Sequence, residues 1–319
     1  MKKFLYILLF FFIGAVVVIA GFVGFLQIRG IPRYPVEKFE LTVVSDSAKI
    51  AHGAKIASVQ CIVCHRGQDG KLSGRFLNEL PPDFGKIYSA NITQHKQTGI
   101  GGWSDGDIYY LLRTGVKPDG QYLPPYMPKF PHMSEYDMQS VIAWLRSDRP
   151  EVQPSEVNKV LSEPSLLTKF LCLVQFKNFP INKAPITEPD TNDLVNYGRY
   201  LIVGRYDCYP CHSADFKTLN QFEPEKTGGY MGGGNRMVSL DGKERLTANL
   251  TPHKTGIGDW TEDDFRNALL FSKSKNGQSL RDPMLPYNGL TDLEIKAMWK
   301  YLLSLAPIDN SVNRNWEEE

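Results

Sequence analysis

Cys61-Ile62-Val63-Cys64-His65 and Cys208-Tyr209-Pro210-Cys211-His212 decide how this 319-residue chain is read. Each is a Cys-x-x-Cys-His unit, and together they use four of the five cysteines. Two thiols at this spacing share one helical turn and reach the two vinyl groups of one porphyrin. The adjacent histidine then faces the iron as its proximal ligand. The pattern points to two covalently bound haem c groups. Cys61, Cys64, Cys208 and Cys211 are the attachment residues, and His65 and His212 the iron ligands. Three readings compete. A redox dithiol expects a surrounding alternation of strands and helices, which neither copy shows. Zinc bound by four cysteines does not require a histidine after each pair. Two ordinary disulfides stay open for an exported chain. Recurrence of the whole unit favours haem. Cys172 stands alone and reads as a small buried apolar residue.

The units head two copies of a longer repeat. Ala90-Asn91-Ile92-Thr93-Gln94-His95-Lys96 matches Ala248-Asn249-Leu250-Thr251-Pro252-His253-Lys254, and TGIGGW (98–103) matches TGIGDW (255–260). The second copy carries about ten extra residues between its Cys-x-x-Cys-His unit and the matching segment. The repeat sorts the methionines. Met127 and Met284 alone fall at equivalent places, each flanked by prolines (Pro125 and Pro128; Pro283 and Pro286) that restrict the loop. They are the candidate distal ligands, which would give a His/Met pair and a raised potential; packing methionines are the alternative. Met133, Met138 and Met298 align with core positions, and Met231 and Met237 lie in the inserted part. His95 and His253 are a repeated pair and so rival ligands, but their polar setting before a Thr-Gly turn fits loop residues better. His52 and His132 have no repeat partner and read as surface or hydrogen-bonded histidines.

Helical patterns open and close each copy. Ser47 to Val59 and Asn192 to Arg205 precede the cysteines, with Gly53 and Gly198 placed to allow close helix crossing. Ser134-x-x-Asp137 and Thr291-x-x-Glu294 are start signals for closing helices, the second a good capping box. Trp144 and Tyr301 fall at equivalent places. The expected fold is all-α. Its parts are an N-terminal segment over 1–30, haem domains over 45–150 and 191–307, a Pro-rich linker over 151–190, and an acidic tail over 308–319. Within the linker, Leu166 to Phe176 predicts a short helix packed between the domains, with a helix lying at a membrane surface as the other option. Thr168, Cys172 and Gln175 would share one stripe of it. Gly228 to Gly234 reads as a flexible loop beside the second haem, not a phosphate loop.

Lys2 and Lys3 are followed by an uncharged, apolar run from Phe4 to Ile28, about long enough to cross a bilayer as a helix. Ala20 offers a weak cleavage site, but the length favours an uncleaved anchor. Charges on the two sides of the run do not decide its orientation. Lys and Arg number 36 against 35 Asp and Glu, a balance that gives no reason to propose nucleic acid as a partner.

The Asn-Ile-Thr segment, the two TGIG(G/D)W segments and the Pro-flanked Met127 and Met284 resemble the cytochrome c subunits of bacterial membrane-bound alcohol, aldehyde and gluconate dehydrogenases. The resemblance covers roughly residues 45–150 and 190–307. It implies two tandem class I cytochrome c domains after an N-terminal transmembrane helix. Cys61, Cys64, His65 and Met127 would serve one haem, and Cys208, Cys211, His212 and Met284 the other. It further implies electron transfer without substrate chemistry of its own. Haem attachment in these proteins is completed outside the cytoplasm, which places the domains on the periplasmic side of a bacterial inner membrane. The redox partners would be a dehydrogenase subunit, an oxidase or a soluble cytochrome. A dihaem enzyme such as a cytochrome c peroxidase is the rival function. The family typically carries three haem units; this chain has two, so a particular dehydrogenase does not carry over.

Overall fold

The computed structural model describes residues 2–158, 160–182 and 184–313. Among the described residues ten α-helices make the frame, and 40% of the chain is helical. In order they are α1 (Lys2–Arg29), α2 (Ser47–Gln60), α3 (Ile62–His65), α4 (Asp105–Thr114), α5 (Glu135–Leu145), α6 (Leu166–Val174), α7 (Leu194–Tyr200), α8 (Tyr209–His212), α9 (Glu262–Phe271) and α10 (Asp292–Ser304). Two small antiparallel pairs complete the described structure: β1 (Gly85–Lys86) with β2 (Glu163–Pro164), and β3 (Arg236–Val238) with β4 (Glu244–Leu246). The extra length of the second repeat lies between His212 and Gly233, before β3: Gly233 N donates to His212 O as Gly74 N donates to His65 O, so Met231 falls in the insertion and Met237 after it. The all-α expectation holds for the framework, with long loops between helices. The acidic end, Glu317 to Glu319, lies outside the described residues.

α1 stands apart. Its 28 residues span about 42 Å at helical rise, enough for a hydrocarbon core of about 30 Å. Leu26 is its one buried residue. The helix is long and apolar enough to cross a membrane.

The remaining helices build two hydrophobic cores. The first gathers Ile56, Ala57, Ile108, Leu112, Met138, Ile142 and Trp144. The second gathers Tyr197, Leu201, Phe265, Leu269, Met298, Tyr301 and Leu302. Local chemistry sets the helix boundaries. Asp46 caps α2 by accepting from Lys49 N at 2.7 Å. Ser104 with Asp107, Thr261 with Asp264 and Thr291 with Glu294 form complete capping boxes for α4, α9 and α10. Ser134 caps α5 through Asp137 N, but the Asp137 carboxylate does not return the bond.

That carboxylate is committed to the contact between the two cores. It receives Arg205 Nε at 2.7 Å, His52 Nε2 at 2.6 Å and the Tyr200 hydroxyl. Arg205 also reaches Glu294 at 2.9 Å and Glu188 at 2.8 Å, and Lys55 pairs with Glu294 from the first core. Burial by itself would raise the Asp137 carboxyl; the hydrogen bonds from His52, Arg205 and Tyr200 and the Arg205 charge outweigh it and hold it below its ordinary value. Removing one partner from such a cluster leaves a buried charge uncompensated, which is where its cost lies. A turn of π-helix, Leu201–Arg205, follows α7 directly and carries Arg205 into this cluster. It takes up the greater chain length between Gly198 and Cys208 than between Gly53 and Cys61.

Helix crossing is the same in both cores. A Cβ added at Gly53 would lie 1.9 Å from Ser140 O and 2.9 Å from Trp144 Cβ. At Gly198 it would lie 2.0 Å from Ala297 O and 2.9 Å from Tyr301 Cβ. The backbones of α2 and α5, and of α7 and α10, therefore touch at a glycine opposite an aromatic residue. α6 does not lie between the cores as expected. It packs on a smaller third cluster, where Cys172 joins Tyr110, Val116 and Tyr122, and on the end of α1, where Phe170 meets Phe22 with ring centroids 6.2 Å apart. Residues 308–310 also join the second core, since Ile308 N donates to Thr251 Oγ1 at 3.0 Å and Asn310 N to Thr255 Oγ1 at 3.0 Å.

Gly53→Ala and Gly198→Ala should each destabilise the protein by about 1–3 kcal/mol or more, because backbone must move to admit the methyl group. Thermal unfolding followed by circular dichroism reads this. An unchanged midpoint for either variant would contradict the crossing geometry.

Candidate haem-binding site

Each Cys-x-x-Cys-His unit is a single helical turn placed by the helix before it. Cys61 closes α2 by donating its N–H to Ala57 O at 2.9 Å, and His65 N returns to Cys61 O at 3.0 Å. In the second copy Pro210 sits in the first turn of α8 and His212 N reaches Cys208 O at 3.1 Å. No disulfide joins any two of the five cysteines in the structure. Burial pushes Cys61 and Cys211 up to about 12 and raises Cys64 and Cys208. A redox dithiol shows the reverse. Among the described residues, no three His, Cys, Asp or Glu side chains group as a metal site, and the two cysteine pairs belong to separate cores. The zinc reading fails.

The two histidines share one hydrogen-bonding pattern. His65 Nδ1 lies 2.7 Å from Ala90 O, and His212 Nδ1 lies 2.9 Å from Ala248 O. A carbonyl oxygen only accepts, so Nδ1 donates. In a neutral ring this puts the lone pair on Nε2, the tautomer suited to metal ligation. Burial keeps His65 neutral, lowering its pKa; the Ala90 bond opposes this and nearby Arg75 adds to it.

The repeated Asn-x-Thr segment holds these carbonyls in place. Asn91 Oδ1 accepts from Thr93 N at 2.9 Å and Thr93 Oγ1 at 2.6 Å, while its Nδ2 donates to Ser155 O at 3.0 Å. Asn249 repeats the pattern with Thr251 at 2.9 and 2.7 Å and with Ile308 O at 2.8 Å. In the sequence this segment serves only as an alignment marker. Its recurrence is the available signal that Asn91 and Asn249 hold the histidines' partners. His95 and His253 are loop residues, as expected: their Nδ1 atoms accept from the backbone N–H groups of Thr98 and Thr255 at 3.1 and 3.2 Å. His52 and His132 are hydrogen-bonded, the latter to Gln221 O.

Around the second unit there is a largely apolar cavity, which brings together Cys208, Cys211, His212 and Met284. Trp260, Phe265, Leu269, Tyr287 and Leu302 form much of its wall. Its apolar wall, thiol pair, imidazole and thioether suit a haem covalently held and bound from both sides. Met231, Met237 and Met298 also line it, so proximity alone does not select Met284. The first core contains Cys61 and packs Met127 at its edge. Met127 and Met284 sit in matching turns, their N–H groups donating to Pro124 O and Arg281 O, both at 3.1 Å. The Gly228 to Gly234 loop is packed, not the flexible loop expected. Met231 in it is fully buried, and Gly233 N donates to His212 O at 2.8 Å.

The Cytochrome c family model matches residues 50–148. Those residues are a cytochrome c domain. It is a haem-binding, electron-transferring unit. Similar proteins include a nicotinate dehydrogenase subunit of Pseudomonas putida, 29% identical over 81% of this chain and 21% of that protein. The alcohol dehydrogenase (quinone) cytochrome c subunit of Gluconacetobacter polyoxogenes is 28% identical over 84% of this chain and 58% of its own length. A diheme cytochrome c-type protein of Cereibacter sphaeroides is 25% identical over 78% and 83%. The chain thus spans only part of the two dehydrogenase subunits.

Asn91→Ala should cost about 1–3 kcal/mol, since it strips partners from buried Thr93 and Ser155. It should also loosen the Ala90 carbonyl. Denaturant unfolding followed by haem absorbance measures both, and a variant as stable as the parent would contradict the bracing role.

Proposed function

We propose that the chain is a membrane-anchored electron carrier holding two haem c groups, each with a His/Met ligand pair. The observation that carries this is the duplicated site: in both copies a Cys-x-x-Cys-His turn is followed by an Nδ1–carbonyl bond that presents Nε2 for ligation. Cys61 and Cys64 would fix one haem and Cys208 and Cys211 the other, with His65 and Met127, and His212 and Met284, on the two irons. The bound haem supplies one-electron chemistry at its iron. The protein's part is to hold it, exclude water and set its potential through ligand identity, hydrogen bonding and burial. In the second site, Trp260, Phe265, Leu269 and Leu302 keep water from the group, while Arg245 and Arg281 on the lining supply positive charge for its carboxylates. Met284 is preferred over Met237 because it alone has a repeat equivalent, Met127, in a matching turn.

α1 would anchor the chain in a bacterial inner membrane, with both haem domains on the periplasmic side. Two of the relatives are dehydrogenase subunits, which makes a dehydrogenase subunit the electron donor of choice. An oxidase or soluble cytochrome would then accept the electrons. Tethering raises the effective concentration of membrane-bound partners.

Redox titration of the full chain tests the ligand set. Met127→Ala and Met284→Ala should each lower the potential of one haem and leave the other near its parent value. Met237→Ala should change neither. A lowered potential in Met237→Ala together with a parental one in Met284→Ala would overturn the choice for the second site.

A further inference from the structure

The faces of α6 are reversed for a helix on a wetted surface. Two residues of the expected stripe point into the protein, while Gln175, past the end of the helix, is exposed: Thr168 is fully buried and donates Oγ1 to Phe84 O at 2.8 Å. Cys172, one turn on, is also fully buried, beside Tyr110, Val116 and Tyr122. The apolar side points out, with Leu166 37%, Leu167 44%, Phe170 37% and Val174 53% exposed. A surface helix in water carries the opposite arrangement. This orientation is fixed by local structure. Ser165 caps the helix by accepting from Thr168 N at 3.1 Å, and β2 ties Pro164 to Gly85 immediately before it. A Cβ on Gly85 would lie 2.2 Å from Glu163 O, so the strand approach needs glycine there.

Position says what covers the outward face. Phe170 meets Phe22, and Lys169 Nζ donates to Gln27 Oε1, so α6 lies against the last turns of α1. Cations ring the same level. Arg29 and Arg33 line an open pocket at the end of α1, with no acidic residue among the described residues of its wall. Arg29 Nη1 is buried there without a hydrogen-bond partner. Lys177 lies just past the end of α6. An apolar face bordered by Lys and Arg suits the boundary between acyl chains and anionic headgroups.

We propose that α6 is a membrane-surface foot, its Leu166, Leu167, Phe170 and Val174 face resting in the bilayer that α1 crosses. This rests on the reading of α1 as an anchor. A single tether leaves the first haem domain free to swing. The foot adds a second point of attachment, fixing which side of that domain faces the membrane.

Photo-crosslinking of the full chain in vesicles of phosphatidylethanolamine and phosphatidylglycerol tests this. Val17→p-benzoylphenylalanine reports on the anchor, Leu167→p-benzoylphenylalanine and Phe170→p-benzoylphenylalanine on the foot, and Phe271→p-benzoylphenylalanine on an exposed apolar residue of the second core. Unchanged haem content identifies the folded variants. Lipid adducts at 17, 167 and 170 but not at 271 are expected. Adducts at 17 with none at 167 and 170 would overturn the foot while leaving the anchor standing; this is also the outcome if a protein partner covers that face. No adduct at 17 would remove the anchor and, with it, the foot.

Discussion

The hydrogen bond from a histidine Nδ1 to a backbone carbonyl is the constraint around which both halves of this protein are arranged. A Cys-x-x-Cys-His turn brings two thiols and an imidazole together, but it does not fix which ring nitrogen carries the proton. Ala90 O and Ala248 O do that, at 2.7 and 2.9 Å. Each carbonyl is steadied by an Asn-x-Thr loop, which in turn grips the segment following its core, at Ser155 or Ile308. The opening helix is pressed against the closing helix at a glycine, so the cysteine turn sits where that packing puts it. Each histidine's tautomer is thus tied to the closing segment of its core, far away in sequence.

The cores meet through charge. Asp137 and Glu294 occupy the same N-terminal place on α5 and α10, yet only Glu294 completes its capping box. Asp137 commits its carboxylate to Arg205, His52 and Tyr200 instead. The π turn after α7 breaks the repeat at the point that carries Arg205 into this cluster. A buried network of this kind favours one relative orientation of two halves more than it favours stability itself. For an electron carrier, that orientation governs how the two sites face one another.

Much of this was legible in the residues, and the reason differs case by case. The cysteine turns, Gly53 and Gly198, the Thr291 capping box and the Met127–Met284 equivalence are local patterns or repeat matches, which a sequence displays directly. Other features depend on where distant segments come together. Glu294 caps and Asp137 does not, because the Tyr200 hydroxyl accepts the Ser134 N–H at 3.0 Å and donates its own proton to Asp137. Met237 reaches the second cavity on the β3–β4 hairpin, a placement set by how that hairpin folds back and not by its own sequence. Gly228 to Gly234 reads as flexible from composition, but Met231 and the His212 carbonyl pack it down. The pattern of α6 predicted a helix and its stripe; only packing on α1 shows which side faces the protein.

The central claim is that one chain carries two haem c sites. Its most direct test is the haem-to-protein ratio of the purified full chain, measured by pyridine haemochrome absorbance against amino-acid analysis. The duplicated site predicts two haems per chain. A ratio of one would contradict the account.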